Sequence, residues 1–107
     1  MYKLTIVVAI YNVENYLKKC LDSLVDQTCG DYQMFCVNDG STDKSRDIIL
    51  SYLDNKKFKL LDKPNGGLSD ARNYGIERCE SEYISFIDGD DFVENNYVET
   101  IINTLDK

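Results

Sequence analysis

The stretch Asp88-Gly89-Asp90-Asp91 places three carboxylates in four positions, directly after the apolar run "YISFI". In a chain of formal net charge -7 that crowding is unfavourable unless the acids share a cation. Carboxylate oxygens suit hard divalent ions, and Mg²⁺ sites often combine one or two carboxylates with substrate phosphates. Other polar groups stand in equivalent places. Tyr11 and Asn12 follow "LTIVVAI", Asn38 and Asp39 follow "YQMFCV", and Asp62 follows "KFKLL". Arg72, in "SDARNYG", is a cation of the type that recognises phosphate. One acid after a strand is often only the cap of the next helix. Several on one edge point to a site.

The elements that must position these groups alternate. Strand-length apolar runs lie at 4–10, 32–38, 57–62 and 83–87. Between them, apolar residues recur at helical spacing over about 13–28, 42–54, 68–80 and 94–106. Such alternation predicts βαβ units and a mainly parallel sheet with helices on its faces, a Rossmann-like three-layer α/β/α fold. The runs are continuously apolar, as in strands buried on both sides. Ligands of open α/β sheets bind beyond the carboxyl ends of the strands, where this sequence puts its polar groups. Residues 1–107 read as a single domain without repeat, linker or low-complexity tract.

Composition excludes several classes. There is no His, which removes Ser-His and Cys-His catalysis and His-ligated zinc from this chain. Nineteen Asp and Glu against twelve Lys and Arg argue against a nucleic-acid partner. Cys20, Cys29, Cys36 and Cys79 form no CxxC pair and read as reduced thiols packed as small hydrophobes. The longest apolar stretch is far short of the roughly 20 residues of a membrane span, and the N-terminus lacks a cleavage signal. A cytoplasmic location follows as the expectation, with at most peripheral contact at the inner face of the membrane.

Four segments, "VVAIYNVENYLKKCLDSLVDQT", "VNDGSTDKS", "NGGLSDARNYGIE" and "YISFIDGDDF", resemble in order and spacing the N-terminal half of a family 2 glycosyltransferase, an inverting enzyme of the GT-A fold. The resemblance implies hexosyl-type transfer from a nucleotide-sugar, usually a UDP-sugar, to a hydroxyl of a saccharide or lipid-linked acceptor, as in polysaccharide biosynthesis. It implies Mn²⁺ or Mg²⁺ held by an Asp-x-Asp motif, here Asp88-Gly89-Asp90, with Asp90 the usual ligand and Asp88 nearer the ribose or metal. It places Ala9, Tyr11 and Asp39 at the base, Tyr11 by stacking and Asp39 by accepting the uracil N–H. Glu14 and Gly89 fall near the nucleotide, and Arg72 falls near the diphosphate. Each also has a plainer reading. Tyr11 could pack on the rim, Asp39 could cap a helix, Glu14 could complement a helix start, and Arg72 could pair with a rim acid. Asp91 reads as orienting the loop or capping the last helix, and Asn73 and Gly75 as helix packing.

Two features depart from the family pattern. Asn38 stands where an acid is usual, which removes a charge but keeps hydrogen bonding. No residue after Asp91 matches the catalytic base, whose carboxylate must reach the acceptor oxygen; Glu94 and Glu99 read as surface. The chain therefore resembles the donor-binding half, truncated after the Asp-x-Asp strand and the following helix, and is expected to show little or no turnover by itself. The alternative is a nucleotide- or metal-binding module without chemistry. A phospho-receiver lacks its late-strand Lys, and "DGDDFVE" lacks the ligand spacing of a calcium loop.

Overall fold

The computed structural model describes residues 2–106. Strands β1 (Leu4–Ile10), β2 (Tyr32–Asp39), β3 (Phe58–Lys63) and β4 (Tyr83–Asp88) alternate with helices α1 (Leu17–Val25), α2 (Ser45–Leu50), α3 (Leu68–Arg78) and α4 (Tyr97–Leu105). All strand pairs are parallel and the order is β3-β2-β1-β4. The α/β reading and its strand positions therefore hold.

Side-chain alternation divides β1 between two cores. Leu4, Ile6, Val8 and Ile10 face a large cluster with Leu17, Leu21 and Leu24 of α1, Ile49 of α2, and Val98 and Ile102 of α4. Val7 and Ala9 face a smaller cluster with Val37 and Ala71 of α3. The second layer is thin because Gly75 lets α3 approach closely: a Cβ there would lie 2.6 Å from Val7 Cγ1. Asn73 points away and is exposed, so packing falls to Ala71 and Gly75 alone.

β1 and β2 are buried along their full length, as the apolar runs predict. β3 and β4 depart from that expectation. Both are edge strands and mostly part-exposed, with Phe86 of β4 at 41% exposure.

Three helices start later than periodicity suggests. Residues 13–16 form a turn before α1: the Val13 carbonyl accepts from the Tyr16 and Leu17 amides. The Val13 and Glu14 amides are satisfied instead by Ser45 Oγ and Asp43 Oδ2. Residues 41–43 bind Asn12, so α2 begins only at Ser45. It ends in tighter turns, with Tyr52 N–H donating to the Ile49 carbonyl and Leu53 N–H to that of Leu50. α4 starts at Tyr97, leaving Glu94 in the preceding loop. Asn96 occupies the cap position without a side-chain bond, so Asp91 does not cap α4.

Candidate donor site at the sheet rim

Register brings the predicted groups to one level. Ala9 pairs with both Val37 and Asp88, Ile10 with Asn38, Asn38 with Asp62, and Asp39 with Lys63. The chain runs outward from β1 to β3, then returns so that β4 joins the other side of β1. The crevice between β1 and β4 is thus the switch point of the sheet, where α/β folds bind ligands. Asp88 ends β4 at that crevice.

Beyond it the chain turns sharply. The Asp91 amide donates to the Asp88 carbonyl at 3.0 Å, and Gly89 N–H donates to the Ala9 carbonyl at 2.9 Å. A Cβ on Gly89 would meet Val13 Cγ2 at 2.9 Å and the Ala9 carbonyl oxygen at 3.2 Å. The glycine therefore seats this turn against β1. The turn gathers carboxylate oxygens of Asp88, Asp90 and Asp91 within 4.8 Å of one another, with Asp90 and Asp91 exposed. Three adjacent oxygen donors, two of them solvent-facing, fit a hard divalent ion that also keeps external ligands.

Arg72, on α3, reaches the same place. Its Nη2 lies 3.2 Å from Asp88 Oδ1, so the predicted pairing with a rim acid is present. Its Nε is buried without a partner, and its guanidinium carbon lies 5.7 Å from the Phe86 ring centre. An orphan guanidinium N–H beside a carboxylate is a donor held ready for an anionic oxygen. Arg72, Asp88, Asp91, Phe86, Phe92 and Tyr97 line an open cavity of about 360 Å³. Tyr11, 49% exposed, follows directly on β1.

Asp39 sits on the far side of the rim, with its side chain only 4% exposed. Its Oδ1 accepts from Lys63 Nζ at 2.6 Å and Gly66 N–H at 2.9 Å. Its Oδ2 accepts from Gly67 N–H at 3.0 Å and Asn65 Nδ2 at 3.2 Å. The carboxylate does bind helix-approach amides, but those leading into α3 rather than α2. Burial pushes the Asp39 carboxyl up, and the Lys63 ammonium with the Gly66 and Gly67 amides outweighs it, holding the group below its ordinary value.

Asn38 keeps the hydrogen bonding expected of it: Nδ2 donates to Asp62 Oδ1 at 2.9 Å and Oδ1 accepts from Ser41 N–H at 3.1 Å. Glu14 is placed elsewhere, away from both the acid cluster and Asp39. It lines a groove between α1 and α2 with Lys18, Asp22 and Tyr52. Lys63 and Asn65 went unnoticed in the sequence. The string "DKPNGG" at the end of β3 held the signal, but their partner on β2 appears only with the register. All four cysteines are free, and Cys20 and Cys36 are buried. Burial pushes the Cys20 thiol up to about 12, so it is inert packing.

The family profile of Glycosyl transferase family 2 matches residues 5–107, and the chain belongs to that family. It is 44% identical over 104 residues to glycosyltransferase GlyA of Streptococcus pneumoniae, covering 96% of this chain and 15% of that protein. It is 39% identical over 110 residues to the minor teichoic acid biosynthesis protein GgaB of Bacillus subtilis, covering 99% of this chain and 12% of that protein. A crystal structure of Staphylococcus aureus TarS 1-349 in complex with UDP superposes with TM-score 0.90 at 26% identity, over 97% of this chain and 32% of that one. The mannosyltransferase PcManGT of Pyrobaculum calidifontis, in complex with GDP-Man and Mn²⁺, shares the fold at TM-score 0.78 and 19% identity, over 84% of this chain and 28% of that one. The chain thus has the GT-A fold and the ancestry of a sugar transferase, and spans under a third of the length of each of these four proteins. Among the described residues no helix is long and apolar enough to cross a membrane.

Proposed function

We propose that this chain is the donor- and metal-binding part of a glycosyltransferase that moves a sugar from a nucleotide-sugar, a UDP-sugar first among them, to an acceptor hydroxyl. The observation that carries the reading is the meeting, at the β1/β4 switch point, of three clustered carboxylates and a guanidinium with one unpartnered N–H. Asp90 and Asp88 would hold the divalent ion, Mn²⁺ or Mg²⁺. When bound, the ion neutralises charge on the leaving diphosphate. Arg72 would meet a diphosphate oxygen, and the exposed Tyr11 ring offers a face to the base. Ala9 supplies the backbone floor beside Gly89. Asp39 would accept the ring N–H of uracil. Glu14 lies away from the cavity and would act on the nucleotide only from its margin.

Direct displacement at the anomeric carbon also needs a base at the acceptor hydroxyl. Among the described residues the rim acids are committed to the metal cluster, to Arg72, to Lys63 or, for Asp62, to Arg46. The acceptor site and its base would be supplied by a further part of the protein, and these 107 residues would bind the donor without turnover. A saccharide or lipid-linked acceptor is the candidate, and a relative named for minor teichoic acid biosynthesis is in keeping with it. Work at the cytoplasmic side of a membrane fits such acceptors.

Calorimetric titration of UDP with and without Mn²⁺, alongside Asp90→Ala, tests the reading. Metal-dependent binding that Asp90→Ala abolishes supports it. Binding indifferent to both the metal and the substitution sinks it.

A further inference from the structure

We propose that Lys63 is a positioning residue that sets which nucleobase the donor site accepts. It fixes Asp39 as an ionised, acceptor-only group, matched to a base with a ring N–H such as uracil and mismatched to one with a bare ring nitrogen such as cytosine. The inference rests on the donor-site reading above, in which Asp39 meets the base.

An ionised carboxylate offers about four lone-pair positions. All four are taken in this structure: Lys63 Nζ and Gly66 N–H on Oδ1, Gly67 N–H and Asn65 Nδ2 on Oδ2. A base N–H must therefore replace one of these donors. Asn65 is the one that loses least. Its bond to Oδ2 is the longest of the four at 3.2 Å, and the same amide nitrogen lies 3.1 Å from the Asp39 carbonyl oxygen. The Gly66 and Gly67 amides are fixed by the approach to α3. Lys63 is fixed more firmly still.

The Lys63 side chain is 5% exposed and bridges Asp39 Oδ1 at 2.6 Å to Asp70 Oδ2 at 2.5 Å. It stands directly opposite Asp39 in the β2–β3 register, so backbone pairing as well as charge holds it there. Removing it would leave a buried carboxylate beside Asp70 with only amides to stabilise its charge, which favours the protonated form. A protonated Asp39 donates instead of accepting. The preference for a ring N–H would then give way to one for a ring nitrogen acceptor.

Few other ionisable groups face Asp39. Lys63 comes from β3, and Asp70 from α3 lies behind it. Asp62, also on β3, is occupied by Arg46 of α2 and by Asn38. Asp43, in the loop after β2, is occupied by the Ser45 and Glu14 amides. β1 contributes no charge at that level. Titration of base preference in a Lys63 variant therefore reports on Asp39.

The test compares calorimetric titrations of UDP and CDP in Mg²⁺ at about pH 8 and about pH 6.5, where the cytosine ring nitrogen stays unprotonated. The ratio of the two affinities cancels the titration of the diphosphate, which both share. The unaltered chain and Lys63→Arg are expected to keep one UDP preference at both values. Lys63→Met is expected to lose about tenfold of that preference at the lower pH, the size of one hydrogen bond to a charged acceptor. Lys63→Gln, which keeps a donor without the charge, carries the same expectation if Lys63→Met fails to fold by circular dichroism. A base preference that stays independent of pH in the folded variant overturns the proposal and leaves the donor site standing. Absence of any nucleotide binding by the unaltered chain overturns both.

Discussion

Arg72 Nη2 lies 3.2 Å from Asp88 Oδ1, joining α3 to the end of β4 across the mouth of the rim cavity. Both side chains are 39% exposed, so the pair contributes little to stability, under about 1 kcal/mol. Its importance is orientation: the contact leaves Nε of the same group without a partner. Arg72→Ala is expected to weaken UDP binding in Mn²⁺ by about tenfold or more. The urea midpoint is expected to barely move. Arg72→Lys is expected not to restore binding, because an ammonium lacks the planar fork. Calorimetry and urea unfolding on the same preparations check both halves.

Gly75 is a packing glycine at ordinary helical geometry, not a hinge. Alanine is the better helix former by about 0.5–1 kcal/mol. Its Cβ would nevertheless stand 2.6 Å from Val7 Cγ1 and 2.9 Å from Val7 Cγ2 in the thin second core. Overpacking of that kind costs about 1–3 kcal/mol. Gly75→Ala is expected to destabilise the chain in denaturant unfolding. The double variant Val7→Ala/Gly75→Ala is expected to be less destabilised than the sum of the two single changes, because Val7→Ala removes the clash that Gly75→Ala creates.

Leu21 is fully buried where α1 meets the larger core. Leu21→Ala removes those contacts and leaves a cavity, at a cost of about 2–5 kcal/mol. Leu50 is 42% exposed on α2. Leu50→Ala is expected to change stability by no more than about 0.5 kcal/mol. Thermal unfolding of both variants distinguishes the amphipathic faces.

Asp39, Asp43 and Asp62 are all held below the ordinary Asp value of 3.8. For Asp62 the main cause is the Arg46 guanidinium; for Asp43, burial is outweighed by the Ser45 and Glu14 amides. A depressed carboxyl contributes stability above its unfolded value, and that stability is lost as pH falls through the folded value. The thermal midpoint is therefore expected to fall once pH drops below about 4. Lys63 moves the other way. Hydrogen bonds to Asp39 and Asp70 raise it above 10.5, so its contribution is complete below 10.5 and lost as pH rises through the folded value. Thermal scans across pH are expected to show the alkaline decline in the unaltered chain and a weaker one in Lys63→Met.

How much of this was legible in the residues differs by element. β1 and β2 are uniform apolar runs, and their burial on both faces follows from composition alone. The helix starts were misjudged because apolar periodicity says nothing of tertiary capping. The Asn12 side chain takes the Thr42 and Asp43 amides, and Ser45 Oγ takes the Val13 amide, so α1 begins at Leu17 rather than 13 and α2 at Ser45 rather than 42. β4 reads as a buried strand by pattern, yet it lies at an edge, because strand order is a property of the sheet and not of the segment.

The acid cluster and Arg72 were visible as residue types at the right spacing, since a tight turn after a strand gathers neighbours in sequence whatever the rest of the fold does. The local pattern therefore determined the α/β class, the rim on which the polar groups lie, and the family. Only the tertiary structure decided which groups meet. Lys63 and Asp39 are 24 residues apart and touch because β2 and β3 pair in that register. Arg72 and Asp88 are 16 apart and touch because Gly75 lets α3 settle on Val7. Glu14 faces a different groove because the turn at 13–16 is held by the loop before α2. Contacts of that kind depend on register and close approach, which act through space between segments and leave no trace within either one.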